Sequence, residues 1–432
     1  MNAIPLRQRI GHGFLAVPLS FVGLPIYMYA PDFYALEFTI PLATIGFVLL
    51  ALRVVDALQD PFIGALSDRY ANHRGAITLI GAIMLASGFW LLFNPYVIIF
   101  THKYALVWLS LSVLISTTGF SVISINLQAA GGLWPVGADE RTSIAVTREA
   151  LGLVGLLMAA VVPALLFNYL PRPAAFHWLS ILFLPLLAAG VWAFLHWLKH
   201  TQLVAPSVQR TVNFRSLFAN SWRNRFLFIY TLSTFASAIP GVLVVFYVRD
   251  YLQLHTYTGL FLMVYFLSGV LAMPLWQTLA ERTGKKNAWA ASMVLACITF
   301  SGAFFLEANE LIAFCLVCVC SGMALGADLA LPQAIMADEV AQQPAAASRY
   351  YALMAFLSKA ALALATGIIL PFLGLLGFEP GSAKNNHLLP YAYALIPCCI
   401  KLVCAGCLLY CARRYCSVHS TSVKKPIVIR GI

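Results

Sequence analysis

Apolar stretches long enough to cross a membrane recur along nearly the whole sequence. A helix that spans the hydrocarbon core of a bilayer needs about 20 predominantly apolar residues, and runs of this length alternate here with short polar segments. Only 10% of the residues are charged, whereas a soluble domain carries about 25%. The sequence therefore predicts an all-α membrane protein and excludes a soluble one.

The polar interruptions divide the chain into twelve predicted transmembrane spans. Their approximate bounds are 13–32, 41–66, 76–97, 104–127, 143–168, a sixth that ends near 198, then 226–248, 257–279, 288–306, 311–335, 350–374 and 390–411. The longest polar stretch lies between the sixth span and the seventh. We therefore predict two pseudo-symmetric six-helix bundles, 1–198 and 226–411, joined by a cytoplasmic linker, 199–225, and followed by a cytoplasmic tail, 412–432.

A repeated acid–base loop supports this division. An acid followed by a base comes directly after an apolar run at two places in the chain, in the segment 64–69 after the second span and in the segment 279–286 after the eighth. Because the two loops lie about half a chain apart, they favour two copies of one six-helix unit. Helix-end and ion-pair contacts could gate the cytoplasmic face at these loops. The predicted gating residues are Asp68, Arg69, Glu281 and Arg282.

The basic residues are distributed unevenly about the membrane. The formal net charge is +11, and most of the 27 Lys and Arg fall in segments that the predicted topology places on one side. By the positive-inside rule this places both termini in the cytoplasm of a multi-pass inner-membrane protein. The basic linker could instead recognise nucleic acid or anionic lipid, but a topology-setting loop is favoured. We expect membrane lipid around a monomer, a small-molecule solute as ligand, and no nucleic acid.

The cysteine pattern argues against a metal centre and a disulfide framework. All ten Cys lie in the second half, mostly within apolar spans, and two pairs imitate metal spacing, Cys315 with Cys318 and Cys404 with Cys407. Neither pair has a His or carboxylate neighbour, so we expect no metal and no cofactor. The spans also lack a Ser–His pairing, which disfavours an intramembrane enzyme. A non-transporting receptor is the other class that is disfavoured.

Three charges form a narrow stripe inside the second span. At ~100° per residue, Arg53, Asp56 and Asp60 fall within about 60° of one another on a helix. A charge at bilayer depth costs about 2.5–3.5 kcal/mol, so such groups face a partner or a watery cavity. Two carboxylates ~6 Å apart can share a proton or a small cation. We therefore predict that the two acids bind the coupling ion of a secondary transporter, with a purely structural network as the alternative.

Other ionisable residues also lie within the spans. Arg53 is either the counter-ion of Asp56 or a substrate contact, the former being favoured. Arg148 could anchor an anionic or hydroxylated solute, and Glu149 is expected to face elsewhere because adjacent helical residues point ~100° apart. Lys359 could reach the acidic stripe or neutralise Asp328. Lys401 is expected to snorkel or to lean on span 11, with no functional role.

The motifs together resemble one known family. They are Arg53-x-x-Asp56-Ala-x-x-Asp60-Pro61-x-x-Gly64, then Asp139-Glu140-Arg141 followed by Thr147-Arg148-Glu149, and Leu331-Pro332 followed by Ala337-Asp338. This set resembles the glycoside–pentoside–hexuronide:cation symporters, the melibiose-carrier branch of the major facilitator superfamily. The resemblance covers most of the chain, and its second-span motif is the specific part.

The resemblance implies a major facilitator fold and cation-coupled symport of a small solute by alternating access. It implies Na⁺, Li⁺ or H⁺ at Asp56 and Asp60, with Gln59 where the melibiose carrier has Asn. It matches Arg148 to the span-5 arginine of the sugar site and Lys359 to the span-11 lysine.

The sequence departs from the melibiose carrier at the sugar-binding acids of spans 1 and 4, whose positions fall near Ser20, Ile123 and Leu127. A melibiose-like sugar is therefore not expected, and an anionic solute stays open. The predicted substrate site comprises Arg148, Lys359, Asn126 and Asp328. An exporter or a lipid or amphiphile transporter of the same fold is the alternative.

Overall fold

The computed structural model describes residues 4–95, 104–204, 217–378 and 386–420, and all regular secondary structure in this part of the chain is helical. Twelve long helices follow one another. They are α1 (Leu6–Glu37), α2 (Leu42–Arg69), α3 (Arg74–Phe93), α4 (Ala105–Gly132), α5 (Ala138–Tyr169), α6 (Arg172–His200), α7 (Ser221–Phe246), α8 (Thr258–Thr283), α9 (Lys285–Phe304), α10 (Leu311–Gln342), α11 (Ala347–Leu375) and α12 (Ile396–Ser420).

Eleven helical segments of the described chain are long and apolar enough to cross a membrane. They correspond to every helix above except α2, which is 28 residues long and contains the charged stripe. At 1.5 Å per residue α2 is also long enough to span a bilayer. The predicted fold, an all-α membrane protein with twelve spanning helices, is confirmed.

Several helices extend beyond the predicted spans. Helix α5 begins at Ala138 rather than near 143, and α10 continues to Gln342 rather than ending near 335. The predicted bounds followed the apolar stretch, whereas helical hydrogen bonding continues into the polar flanks. Asp139 and Glu140 consequently occupy the first turn of α5, where the helix dipole favours acids. Part of the predicted linker (205–216) and the end of the predicted tail (421–432) lie outside the described residues.

Apolar packing follows the two halves of the chain. One core consists of buried residues from all six helices α1 through α6, and it includes stacked rings such as those of Phe93 and Phe176. A second core joins helices of the other half near the end of the bundle where Tyr247 stacks on Tyr393. A third core includes Ala129 of α4 and Leu133 just after it, together with residues of every helix from α7 to α12. The halves are therefore packed against each other at one end of the molecule.

That end is called the linker face here, because α2 ends, α5 begins and the linker leaves α6 there; the other end is the opposite face. At the linker face α2 crosses α11 closely. A Cβ on Gly64 would lie 2.5 Å from the Ala352 Cβ and 2.9 Å from the Ser348 carbonyl oxygen. Small residues at such crossings allow two helix backbones to approach closely. Gly64 of the second-span motif therefore permits the contact between the halves.

Candidate functional site

A cavity of about 450 Å³ lies between the two halves, in the middle of the helical bundle. This volume lies within the range of about 300–1,000 Å³ that small-molecule sites occupy. Both halves contribute to its wall, and its charged lining residues are Arg148, Glu149, Asp328 and Lys359. Three of the four predicted substrate residues thus line one cavity, and the structure brings them together from α5, α10 and α11.

The two acids of α2 share a single ammonium group from the other half. The Lys359 Nζ lies 2.9 Å from Asp56 Oδ2 and 2.8 Å from Asp60 Oδ2. It also donates to the Ser121 hydroxyl at 2.9 Å. Of the two partners that the sequence allowed for Lys359, the structure selects the acidic stripe. Because α2 and α11 belong to different halves, this cluster joins them.

Side chains of α2 and α4 complete the shell around Asp56. The Gln59 amide nitrogen donates to Asp56 Oδ1 at 3.0 Å, and the Thr118 hydroxyl donates to the Gln59 carbonyl oxygen at 2.9 Å. The Ser121 hydroxyl donates to Asp56 Oδ1 at 3.3 Å. All three predicted cation-site residues are therefore adjacent. Thr118 and Ser121, one helical turn apart on α4, were not predicted as site residues.

The cation of this cluster, and not its acids, faces the cavity. The Lys359 side chain is 22% exposed, whereas Asp56 is 7% exposed and Asp60 is fully enclosed at 0%. One ammonium against two carboxylates leaves a formal excess of one negative charge. Carboxylate and hydroxyl oxygens are the ligands that small hard cations prefer. The cluster can therefore accept one monovalent cation or one proton in place of, or beside, the lysine.

Arg53, the third member of the stripe, lies elsewhere. Its guanidinium carbon is 4.3 Å from the centre of the Tyr27 ring, an arrangement typical of a cation–π contact. The favoured expectation that Arg53 neutralises Asp56 is not what the described contacts give, because Lys359 takes that role. Spacing alone could not favour a lysine more than 300 residues away in sequence over an arginine one helical turn away.

On the N-terminal wall of the cavity, Arg148 is paired with its own neighbour in sequence. The Arg148 Nε and Nη2 donate to Glu149 Oε1 at 3.1 and 2.5 Å. We expected Glu149 to face elsewhere, and this was wrong, because both side chains are long enough to bend toward each other. The arginine side chain is 5% exposed and the glutamate 21%. The carboxylate is therefore the more accessible member of the pair.

On the C-terminal wall, Asp328 is held by three helices of its own half. It accepts hydrogen bonds from the Ser237 hydroxyl at 3.1 Å and from the Trp289 indole N–H at 3.0 Å, and it forms an ion pair with Lys401. Lys401 also donates to the Ser233 hydroxyl at 2.9 Å. The expectation that Lys401 snorkels or leans on α11 was wrong. A group this far inside the protein has no route to the interface, and a carboxylate compensates its charge.

Asn126, the fourth predicted substrate residue, does not line the cavity. It is fully buried, its amide nitrogen donates to the Ser67 hydroxyl at 3.1 Å, and its oxygen accepts from Arg74 at 3.1 Å. Arg74 also donates to the Ser348 hydroxyl at 3.0 Å. The structure thus assigns Asn126 to a network at the linker face that crosses between the halves.

Asp68 occupies the centre of that network. Its carboxylate accepts from the backbone N–H groups of Ser348 at 2.8 Å and Arg349 at 3.1 Å, both in the first turn of α11. A carboxylate at a helix N-terminus satisfies free N–H groups and interacts favourably with the helix dipole. The end of α2 therefore caps a helix of the other half. The predicted gating residue Asp68 lies where the two halves meet.

The other predicted gating residues do not cross between the halves. Arg69 is exposed and lies near the ring of Tyr70, and Arg282 is exposed. Glu281 accepts from Gln277 at 2.9 Å, and it is Gln277 that crosses to Ser143 at 2.6 Å. The loop motif therefore lies at the linker face, and among the described residues only Asp68 of its four charges contacts the other half.

A second ionic contact across the linker face was missed. Asp338 of α10 binds Arg141 of α5 at 3.1 Å and Lys285 of α9 at 2.5 Å. Arg141 and Asp338 belong to the motifs that carry the family resemblance, so the sequence did contain a signal for them. For Lys285 the sequence contains no signal beyond its basic character, because its pairing with Asp338 depends on the tertiary fold.

Comparison with known proteins identifies the family of the chain. The profile of the family described as MFS/sugar transport protein matches residues 10–411. The chain belongs to this family. The resemblance that the second-span motif indicated is confirmed, and this member of the major facilitator superfamily (MFS) is a multi-pass membrane transporter rather than an enzyme.

Among curated proteins, the inner membrane symporter YicJ of Escherichia coli strain K12 is 22% identical over 311 residues. The match covers 69% of this chain and 66% of the symporter. A bacterial homologue of the iron transporter ferroportin, solved in an outward-facing state, superposes with a TM-score of 0.72 at 15% identity and covers 95% of this chain and 100% of that one. The E. coli fucose:proton symporter FucP gives 0.67 at 13%, covering 95% and 97%. These structural likenesses establish the fold.

Proposed function

We propose that this MFS protein is a symporter that couples uptake of a small solute to H⁺ or Na⁺ by alternating access. The observation that carries the proposal is the shared ammonium of Lys359, which lies within 2.9 Å of both buried carboxylates of α2. When an ion occupies a site that joins the two halves, it can change the relative stability of the conformations that differ in how the halves are arranged. A ligand shifts a conformational equilibrium only through such a difference in affinity.

The coupling ion would compete with Lys359 for Asp56 and Asp60. A cation or proton there offsets the excess negative charge, and the lysine ammonium, still beside the two acids, can then donate a hydrogen bond to a solute in the cavity that it already faces. Binding of the ion and binding of the solute would thus favour each other. Linkage makes such coupling reciprocal, and its usual size is about 5- to 150-fold in affinity.

The contacts at the linker face support an outward-facing state. Asp68 with the N-terminus of α11 and Asp338 with Arg141 join the halves there. With the linker face in the cytoplasm of the inner membrane, and both termini on that side, the cavity would open outward. The transport cycle would break these contacts and form others at the opposite face. The structurally similar ferroportin homologue was solved in an outward-facing state.

The proposal includes a monomer surrounded by lipid, one small-molecule solute and no cofactor. The coupling ion is a transported species rather than a resident group. YicJ is named a symporter and FucP a fucose:proton symporter, which supports ion coupling here. The two substitutes for the missing sugar-binding acids, Glu149 and Asp328, come from other helices, so the solute need not be melibiose-like.

Transport by purified protein tests the proposal. Proteoliposomes receive an external mixture of sugars, polyols, organic acids, amino acids and nucleosides, with an inward Na⁺ or H⁺ gradient, and mass spectrometry measures their contents. We expect a solute to accumulate only with one gradient and to be lost on adding an ionophore. Asp56→Ala and Asp60→Ala should abolish accumulation, while Asp32→Asn, in an exposed pair with Arg172, should not. Normal accumulation by both alanine variants would exclude the ion role.

The same assay separates the alternative. An exporter or amphiphile transporter would give no gradient-driven uptake of any soluble compound. Cells that lack an exporter of this kind would instead accumulate the solute that it exports.

A further inference from the structure

Two ion pairs on the walls of the central cavity have the same orientation. In the Arg148–Glu149 pair the cation is 5% exposed and the carboxylate 21%. In the Lys401–Asp328 pair the cation is 5% exposed and the carboxylate 15%. The two pairs lie in different halves and on different helices. On each wall, therefore, the carboxylate is the more exposed member of its ion pair.

The remaining charge at the cavity does not offset these carboxylates. Lys359 faces the cavity, but Asp56 and Asp60 share its ammonium. The three cations and four carboxylates of these clusters leave a formal charge of −1. Arg53 is directed to Tyr27 and does not line the cavity. A solute in the cavity therefore meets two carboxylates, the ammonium of Lys359 that is shared with Asp56 and Asp60, and a formal negative surplus.

We propose that Glu149 and Asp328 are the two acceptors that recognise the solute, and that the cavity takes a solute without negative charge that donates hydrogen bonds to both walls. An ionised carboxylate has only acceptor oxygens. An anionic solute would place its own carboxylate or phosphate against them. This inference rests on the proposed transport function and decides against the anionic solute that the sequence left open.

Lys401 and Trp289 are positioning residues for Asp328. The indole N–H of Trp289 fixes one carboxylate oxygen, while Lys401 and Ser237 fix the other. Three other helices of the same half, α7, α9 and α12, thus hold this carboxylate of α10, and a movement of that half as a unit would leave its contacts intact. A preorganised acceptor keeps its geometry without further loss of side-chain freedom when a ligand binds.

The charge preference of the cavity can be measured without knowing the solute. Ser124→Cys and Thr234→Cys each place a thiol on the cavity wall, one in each half. Each protein is labelled with a trimethylammonium methanethiosulfonate and with a sulfonate methanethiosulfonate of similar size. Peptide mass spectrometry reads the rate at the introduced cysteine alone. The quantity of interest is the ratio of cationic to anionic rate, divided by the same ratio for a cysteine in a free peptide.

We expect this normalised ratio to be several-fold above one at both positions. Glu149→Gln or Asp328→Asn should lower it by roughly threefold, as expected for removal of one charge about 10 Å away in a wet cavity. Asp328→Asn combined with Lys401→Gln avoids a buried unpaired lysine and should also lower the ratio, because the carboxylate is nearer the cavity. Glu307→Gln, on an exposed turn, is the matched control without effect.

A normalised ratio at or below one would overturn the proposal, as would a ratio unchanged by both carboxylate variants. Neither result depends on ion-driven uptake. Failure of the solute preference is therefore distinguishable from failure of symport, which the gradient assay measures.

Discussion

The two lysines that pair with intramembrane acids differ in what they join. Lys359 of α11 binds acids of α2 and so connects the two halves, whereas Lys401 of α12 binds Asp328 within one half. Their orientations are also opposite, since Lys359 faces the cavity and Lys401 is buried behind its acid. A lysine–aspartate ion pair can thus serve in two ways. The Lys359 pair must change when the halves move relative to each other, whereas the Lys401–Asp328 pair stays intact. We infer that the first pair responds to ions and the second recognises solute.

Neutralising one acid of each cluster gives the largest expected contrast. Asp60→Asn should remove the dependence of uptake on the ion gradient, a loss of up to about 100-fold in accumulation if the coupling has its usual strength. Asp328→Asn should keep the ion dependence and instead raise the solute concentration needed for half-maximal uptake. The gradient assay with the solute it identifies measures both. Ion-independent uptake by Asp328→Asn would reverse the assignment.

Two glycines extend the comparison from charges to helix packing. A Cβ on Gly64 would meet the other half, whereas a Cβ on Gly322 would lie 2.1 Å from the Tyr265 carbonyl within the same half. Gly64→Val should therefore shift the protein away from the state closed at the linker face, with little loss of stability. Gly322→Val should lower stability by several kcal/mol, as overpacking of a well-packed core costs about 1–3 kcal/mol or more.

Thiol labelling at the linker face and thermal melting distinguish these outcomes. Increased labelling without a lower melting temperature is expected only for Gly64→Val. If that variant simply melts earlier, its glycine serves packing and not the conformational change.

A smaller effect is expected at the helix cap between the halves. Asp68→Ala removes the acceptor of two backbone N–H groups of α11, and loss of a cap costs about 0.5–2 kcal/mol. The closed linker face should lose about that much relative to the open one, a change of roughly 2- to 30-fold in population. Arg69→Ala, an exposed neighbour, is the control. Equal labelling of both variants at the linker face would show that the cap does not hold the halves together.

The sequence predicted the helices and the adjacency of Asp56, Gln59 and Asp60 better than the partners of the charges. Apolar length and a 3.6-residue period are local, so they gave twelve spans and the stripe of Asp56 and Asp60. Arg53 was preferred as counter-ion because it is a turn away, whereas Lys359 is near only in the folded chain. The Arg148–Glu149 pair was missed because backbone direction says little about where two long side chains end.

The cap at Asp68 shows another limit of sequence reasoning. The acid was identified from its loop motif, but its partners are backbone N–H groups at the start of α11. Every residue except proline has such a group, so no side-chain pattern marks these partners. Asn126 illustrates the converse, since its position on α4 allowed a place at the cavity and only the fold directs it to Arg74 and Ser67.

The most direct test of the central claim, that a coupling ion and Lys359 share one site, is the melting temperature of Lys359→Met and Lys401→Met in increasing Na⁺, Li⁺ or H⁺, with K⁺ as reference. Each substitution leaves a buried acid without its cation and should cost about 3–5 kcal/mol. The account predicts that Na⁺ or Li⁺ restores the stability of Lys359→Met but not that of Lys401→Met, or, for a proton-coupled carrier, that acidification restores Lys359→Met at a higher pH than Lys401→Met. Equal rescue of both variants, or rescue of neither, would contradict it.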